Sequence, residues 1–367
     1  MRYLRIPLFL ILMISASSCI RTQDEIKDVL PYLELSLSDR NSRESILLEA
    51  GRTLDPQAEI CFLGRNEDAD LYASRFADYD RYDNVDGRVE ADNLKDFAGE
   101  TLTCVVEDFP YVDPKDSVAV ELFRTKVAKS MISALDTLTY VSLYDSYGLG
   151  RRNSSKVFLL CSPEHSLWSA EDAEYMKVQS GAAFRVLSPL NESLDKIFSL
   201  KKDKALRLGL IYRKGSGSDP EIYKELFRHK AQEFGAKDAK CIVLASEPDS
   251  LLYRLLNVYK EGGEPRPLDA VIVDDFSLDV DALRLQQAEM VSIMNESSLT
   301  FGRMLSEDFE IYDTFEESVK SLYSILRQNN LFSHNISQPQ ILRFSPVERS
   351  DESGDSVILI PVSYVQN

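Results

Sequence analysis

Histidine is scarce in this chain: His165, His229 and His334 are the only three in 367 residues. None stands in an H-E-x-x-H or comparable ligand spacing, so the sequence gives no ground for a histidine-built metal centre. Its five cysteines include no C-x-x-C pair, which leaves a zinc knuckle or dithiol redox motif without support. A G-x-S-x-G nucleophile elbow is missing, and tryptophan occurs once, at Trp168. Positive charge is in deficit, with 42 Lys and Arg against 60 Asp and Glu and a formal charge of -18. Such a chain is repelled by nucleic acid, and a nucleic-acid partner is not expected. No segment approaches the roughly 20 consecutive apolar residues that span a bilayer.

The start of the chain has a pattern of its own. Arg2 and Arg5 precede the short apolar run Ile6–Ile14, and Ser15-Ala16-Ser17-Ser18-Cys19 follows. A basic, then apolar, then small-residue order is that of a secretory signal. Ala16-Ser17-Ser18-Cys19 resembles a relaxed bacterial lipobox, with Ala16 where leucine is usual. The resemblance implies cleavage before Cys19 and its lipidation. More than one acyl chain is what stable anchoring needs. The expectation is therefore a lipid-anchored, extracytoplasmic protein of a bacterial cell envelope. Loss of Arg2 and Arg5 with the leader would move the charge from -18 to -20.

Beyond residues 20–55, a polar tether with a helix near Ser42–Gly51, short apolar runs alternate with longer amphipathic segments. The expected strands are Glu59–Gly64, Leu102–Val106, Tyr140–Tyr144, Val157–Cys161, Ala183–Leu187, Leu206–Tyr212, Cys241–Ala245, Ala270–Val273, Met290–Met294, Gln340–Phe344 and Val357–Val362. Most are continuous rather than alternating, as strands covered on both faces are. Between them, Val120, Phe123, Val127 and Met131 recur at helical spacing, as do Phe315, Val319, Leu322 and Leu326. Ser218-Asp219-Pro220-Glu221 reads as a helix start and Gly235 as its stop. Strands alternating with helices imply βαβ units and mostly parallel sheets. The charged run Ser199–Lys204 divides two series of such units. The expected fold class is α/β, with two doubly wound parallel-sheet domains over 56–198 and 205–330 joined by a hinge. Strands in 331–367 would return to the hinge or to the first domain.

Leu208-Gly209-Leu210-Ile211-Tyr212, the helix ending Ala231–Ala236, the leucine-rich Leu251–Tyr259 and the strand Leu268–Asp275 resemble the opening of the second domain in type 1 periplasmic binding proteins. The similarity is clearest over about 205–295 and schematic over 56–198. It implies two lobes closing over a small polar solute, with ligands held outside the carboxyl ends of the strands. Candidate ligand-binding residues at those ends are Arg65, Asn66, Asp108, Asp145, Tyr147, His165, Arg213, Asp274, Asp275 and Asn295. The alternative on the same scaffold is a ligand-free module binding an envelope protein, as lipoproteins that regulate peptidoglycan synthesis do. Neither reading needs catalysis, a metal or another cofactor.

Other motifs are weaker. Gly215-Ser216-Gly217-Ser218 lacks a P-loop lysine and reads as a turn before a helix. The acids Asp78, Asp80, Asp83, Asp86 and Glu90 miss the spacing of a calcium loop, while Tyr72, Phe76, Tyr79 and Tyr82 are placed to pack inward. Ser162 is a conceivable nucleophile, but Pro163 removes the next backbone N–H. Catalysis would require converging acids, such as Asp108 with Asp274 or Asp275. Cys61, Cys104, Cys161 and Cys241 sit in apolar runs that suit buried thiols. A Cys61–Cys104 or Cys104–Cys161 disulfide needs neighbouring strands.

Overall fold

The computed structural model describes residues 28–365, apart from 85, 108–110, 146, 149, 202–204, 248–250, 298–303, 334 and 352–353. Cys19 and the leader lie outside the described residues. Among those described, no helix is long and apolar enough to cross a membrane.

The chain opens with helices α1 (Pro31–Ser38) and α2 (Arg43–Ala50), followed by β1 (Glu59–Arg65), α3 (Asn66–Asp78), β2 (Thr101–Glu107) and α4 (Ser117–Ser133). A small hairpin, β3 (Leu138–Thr139) with β4 (Gly150–Arg151), precedes β5 (Ser155–Leu160), α5 (Pro163–Trp168), α6 (Ala170–Ser180), β6 (Arg185–Leu187) and α7 (Pro189–Lys201). A second series runs β7 (Arg207–Tyr212), α8 (Pro220–Glu233), β8 (Lys240–Ala245), α9 (Leu251–Glu261), β9 (Leu268–Asp274), α10 (Val280–Ser297), β10 (Leu305–Asp313) and α11 (Thr314–Gln328). The end is β11 (Gln340–Asp351), β12 (Gly354–Pro361) and α12 (Val362–Val365).

Beside the two-stranded hairpin, two large sheets result, and with their helices they make a two-lobed α/β fold. The first has the order β12-β11-β2-β1-β5-β6, the second β10-β9-β7-β8. All pairings in these two sheets are parallel except β11 with β12. Every residue of β1 is buried, which explains its unbroken apolar run. Short polar side chains start the helices: Asp116 accepts from Val118 and Ala119 at 3.1 Å, Asp219 from Glu221 at 2.8 Å and Asp313 from Phe315 at 2.9 Å.

The lobes exchange helices. Leu190, Leu194, Ile197 and Phe198 of α7 pack in the second core, against Leu208, Leu210 and Tyr223. Phe315, Val319, Leu322 and Leu326 of α11 pack in the first, against Phe62, Tyr72 and Phe76. The two crossing helices touch through Lys196–Glu317 at 2.8 Å and Ser321–Glu192 at 3.1 Å. By packing, then, the second lobe begins before α7 rather than at the charged run after it. The chain returns to the first lobe at α11, and β11 pairs with β2.

Three local expectations are corrected. Met290–Met294 is part of α10, an apolar run too short to separate strand from helix by period. Tyr140–Tyr144 is not a strand. The second sheet's edge is β10, whose Ser306, Glu307, Asp308 and Glu310 mask it in the sequence, as charges on edge strands do. Cys61, Cys104, Cys161 and Cys241 are free thiols, so neither disulfide forms.

Candidate functional site

Carboxyl ends of β1, β5, β7 and β9 face one another across the crevice between the lobes. Gly64, next to last in β1, makes the approach possible. A Cβ built there would lie 3.0 Å from the Cβ of Cys161 and 3.2 Å from the amide nitrogen of Ala69. Without a side chain, β1 lets the end of β5 and the first turn of α3 close in on each other. Cys161 and Asp68 are thereby brought to one wall of the crevice.

The opposite wall comes from the second lobe. Asp274 ends β9, and its carboxylate accepts from the Tyr223 hydroxyl at 3.0 Å and from Thr314 Oγ1 at 2.9 Å. Asp275 is turned aside, its oxygens taking the Ser277 amide at 2.9 Å and the hydroxyls of Ser277 and Ser246. Arg213, just past β7, reaches back across the crevice to Asp68 at 2.7 Å and Glu67 at 3.2 Å. Arg65 crosses the other way, donating to the Gly217 carbonyl at 2.7 Å and lying 3.5 Å from Glu164. Within the expected helix start, Asp219 caps α8, and the Ser218 hydroxyl donates to Glu164 at 3.1 Å. Tyr111 spans the mouth to Asp219 at 2.8 Å.

Between these walls lies a cavity of about 10 Å³, lined by Asp68, Cys161, Pro163, Arg213, Ser216, Ser218, Tyr223, Asp274 and Phe276. That is space for a single water. At the mouth it meets an open cleft of about 420 Å³ that shares Asp68, Arg213 and Ser216 and adds Arg65, Tyr111 and the glycine loop.

Burial governs the proton affinities. It pushes Asp68 up to about 6, despite the pull of Arg213. It pushes Asp274 up to about 7, against the hydroxyls of Thr314 and Tyr223 that favour its charged form. Cys161 is held well above its usual value by burial and then by the neighbouring Asp68, so it is a neutral thiol. Burial also raises Glu164, with Arg65 opposing. Two carboxyl groups thus exchange protons close to neutrality, beside a thiol that keeps its own.

Of the residues expected at the site, Arg65, Arg213, Asp274 and, at its back, Asp275 converge. His165 does not reach the cavity lining. It is fully buried, with its ring edge-on to Phe123 at 5.1 Å and Nδ1 2.5 Å from Ser162 Oγ, and burial lowers it to about 3. The Ser162–His165 pair is therefore a buried hydrogen bond set back from the cavity lining. Asp145 binds the amides of Val141, Tyr147 and Gly148 in its own loop, where Arg349 holds its carbonyl at 3.1 Å, and the Tyr147 side chain is 88% exposed. Asp108 and the side chains of Asn66 and Asn295 lie outside the described residues, so the Asp108–Asp274 pairing does too. The sequence reading missed Asp68, Cys161 as a lining residue, Tyr223 and Thr314. Asp68 sits in the first turn after a strand end, and that position was its available signal. Among the described residues, no group of His, Cys, Asp and Glu is arranged to hold a metal ion.

No protein-family model and no curated protein matches this sequence. Similar solved structures are glutamate racemases. The RacE1 isoform from Bacillus anthracis is 12% identical over 79% of this chain and 89% of its own, with a TM-score of 0.43. The enzyme from Francisella tularensis, in complex with D-glutamate, is 12% identical over 85% and 95%, with a TM-score of 0.44. The enzyme from Thermus thermophilus, in complex with beta-chloro-D-alanine, is 12% identical over 80% and 89%, with a TM-score of 0.43. These neighbours are enzymes and not periplasmic binding proteins. The expected resemblance to type 1 binding proteins is corrected accordingly. The solute-binding role, the protein-binding alternative and the expectation of no catalysis find no support among these neighbours. The lipoprotein and envelope labels gain nothing from these neighbours.

Proposed function

We propose that this protein is an enzyme that moves a proton on a small polar substrate held between its lobes, chemistry of the isomerase type. One observation carries the reading. Asp68 from the first lobe and Asp274 from the second line a single cavity with the Cys161 thiol, and burial raises the two acids to about 6 and about 7. A general acid or base works best with a proton affinity close to the working pH. Acids on opposing walls can remove a proton from one side of a bound carbon and supply one from the other. Asp274 is fixed for such a transfer by Tyr223 and Thr314. Asp68 is steered by Arg213, and Cys161 supplies a second protonated group. Substrate enters through the cleft at the mouth, which requires the Arg213–Asp68 and Tyr111–Asp219 contacts to part.

The test is isotope exchange. The protein is incubated in heavy water with a panel of amino, hydroxy and keto acids, and carbon-bound deuterium is followed by NMR. The expected result is enzyme-dependent exchange on at least one compound, lowered about 100-fold or more in Asp274→Asn. Exchange on no compound, or exchange indifferent to both Asp274→Asn and Asp68→Asn, overturns the reading.

A further inference from the structure

A partition stands between the small cavity and the cleft at its mouth. Asp68, Arg213 and Ser216 line both spaces, so residues 213–219, with the first-lobe wall they rest on, separate one from the other. This loop belongs to the second lobe, yet the first lobe holds it down. Arg65 donates to the Gly217 carbonyl at 2.7 Å, Glu164 accepts from the Ser218 hydroxyl at 3.1 Å, and Tyr111 donates to Asp219 at 2.8 Å. Glu164 and Arg65 are themselves buried side by side, 3.5 Å apart.

Toward its own lobe the loop is tied near its ends, where the Lys214 amide donates to Ser246 Oγ at 3.2 Å and Asp219 caps α8. Between those ties, Gly215 and Gly217 have φ of +83° and +79°, a region that glycine enters without strain. A Cβ on Gly215 would meet nothing within 4 Å, so the backbone there has room to swing. Parting the lobes instead would break apolar packing on both sides of the crevice. Phe276 of the second lobe lies on Tyr72 of the first at 4.0 Å, and Leu167 of α5 packs against the second core. Water can replace the loop's polar partners but not those apolar contacts.

We infer that residues 213–219 are the gate of the cavity. The loop lifts about Gly215 and Gly217 while the lobes stay together, and Arg65 and Glu164 are the catches that hold it shut. The gate's purpose rests on the reading of this cavity as a reaction site; its opening does not, and is tested with no substrate present. Cys161 is a built-in reporter. It lines the cavity beneath the loop, whereas Cys61 and Cys104 are buried in the strands β1 and β2.

The intact protein is treated with N-ethylmaleimide at fixed pH, and the modification of each cysteine is followed by mass spectrometry. Cys161 should react faster than Cys61 and Cys104, which become accessible only when the first lobe unfolds. Ser218→Ala removes one catch contact and should speed Cys161 about fivefold, leaving Cys61 and Cys104 unchanged. Gly217→Ala should do the same, since its Cβ would sit 3.2 Å from Arg65 Nη1 at a φ that side chains disfavour. Hydrogen exchange in Ser218→Ala should rise over residues 213–219 and not in α5. All three thiols reacting together in the native protein overturns the inference, and that comparison holds even if a variant fails to fold. So does a Cys161 rate indifferent to both substitutions, or faster exchange in α5 as well, which would mean that the lobes part. Because no substrate is involved, failure of the isotope-exchange test leaves these outcomes unaffected.

Discussion

Asp68 of the first lobe and Arg213 of the second meet at 2.7 Å across the crevice, and the carboxyl group stays protonatable near pH 6 although a guanidinium touches it. Burial outweighs the attraction here because desolvation penalises the charged carboxylate more than one partly exposed cation repays. The pair is a latch as well as an acid. Removing Arg213 would leave the buried Asp68 carboxylate without its cation. Arg213→Ala should therefore destabilise the protein by about 2 kcal/mol in urea at pH 8, and by less at pH 5, where Asp68 carries its proton. Equal losses at both pH values would contradict this account.

A second prediction concerns the sign of the pH dependence. Asp274 titrates near 7 in the folded chain and would titrate near its ordinary 3.8 when unfolded. The folded state therefore holds more protons between those values, and stability falls as pH rises from about 4 through about 7. Asp274→Asn cannot lose that proton. Its melting temperature relative to the native protein should rise steadily from pH 5 to pH 8 and level off above. Thermal melts across that range check it; a flat difference would mean that Asp274 is ionised throughout.

Gly64 can be tested directly. A methyl at this position meets Cys161 and the backbone of Ala69 at 3.0 and 3.2 Å, and neither is the loose end of a flexible side chain. Gly64→Ala should cost about 1–3 kcal/mol by overpacking. It should also move Cys161 away from Asp68, so proton exchange would fall more than stability explains. Urea titration and the exchange assay, run side by side, separate the two effects.

How far this was legible in the sequence follows from what each position answers to. β1, β7 and β9 are covered on both faces, so their apolar runs Ile60–Leu63, Leu208–Ile211 and Ala270–Val273 announced them. β10 lies at an edge and must repel strangers, so its Glu307, Asp308 and Glu310 hid it. Arg65, Arg213 and Asp274 were found because strand ends are where α/β sheets bind ligands. Asp68 was not, because only the fold reveals that Gly64 draws α3 inward. Tyr223 and Thr314 read as ordinary helix residues until Asp274 is seen between them. The exchange of α7 and α11 between lobes was hidden for a similar reason: an amphipathic stripe shows that a helix packs, but not on which sheet.

The last prediction lies at the opposite end of the first sheet. The Lys156 ammonium is buried, held by Glu100 at 2.7 Å and by the carbonyls of Pro56 and Leu331 at 2.6 and 2.8 Å. Glu100 in turn takes the Ser333 amide at 2.6 Å. The cluster ties β5, the turn before β1 and the segment after α11 together, so it fixes where the chain re-enters the first lobe before β11. Lys156→Met leaves Glu100 buried without its cation and should cost about 3–5 kcal/mol. Adding Glu100→Gln should recover much of that loss, since an amide needs no counter-charge and can still accept from Ser333. Urea unfolding of the single and double variants measures the difference. If the double variant is no more stable than Lys156→Met alone, the cost lies in lost packing of the lysine stem rather than in the stranded charge.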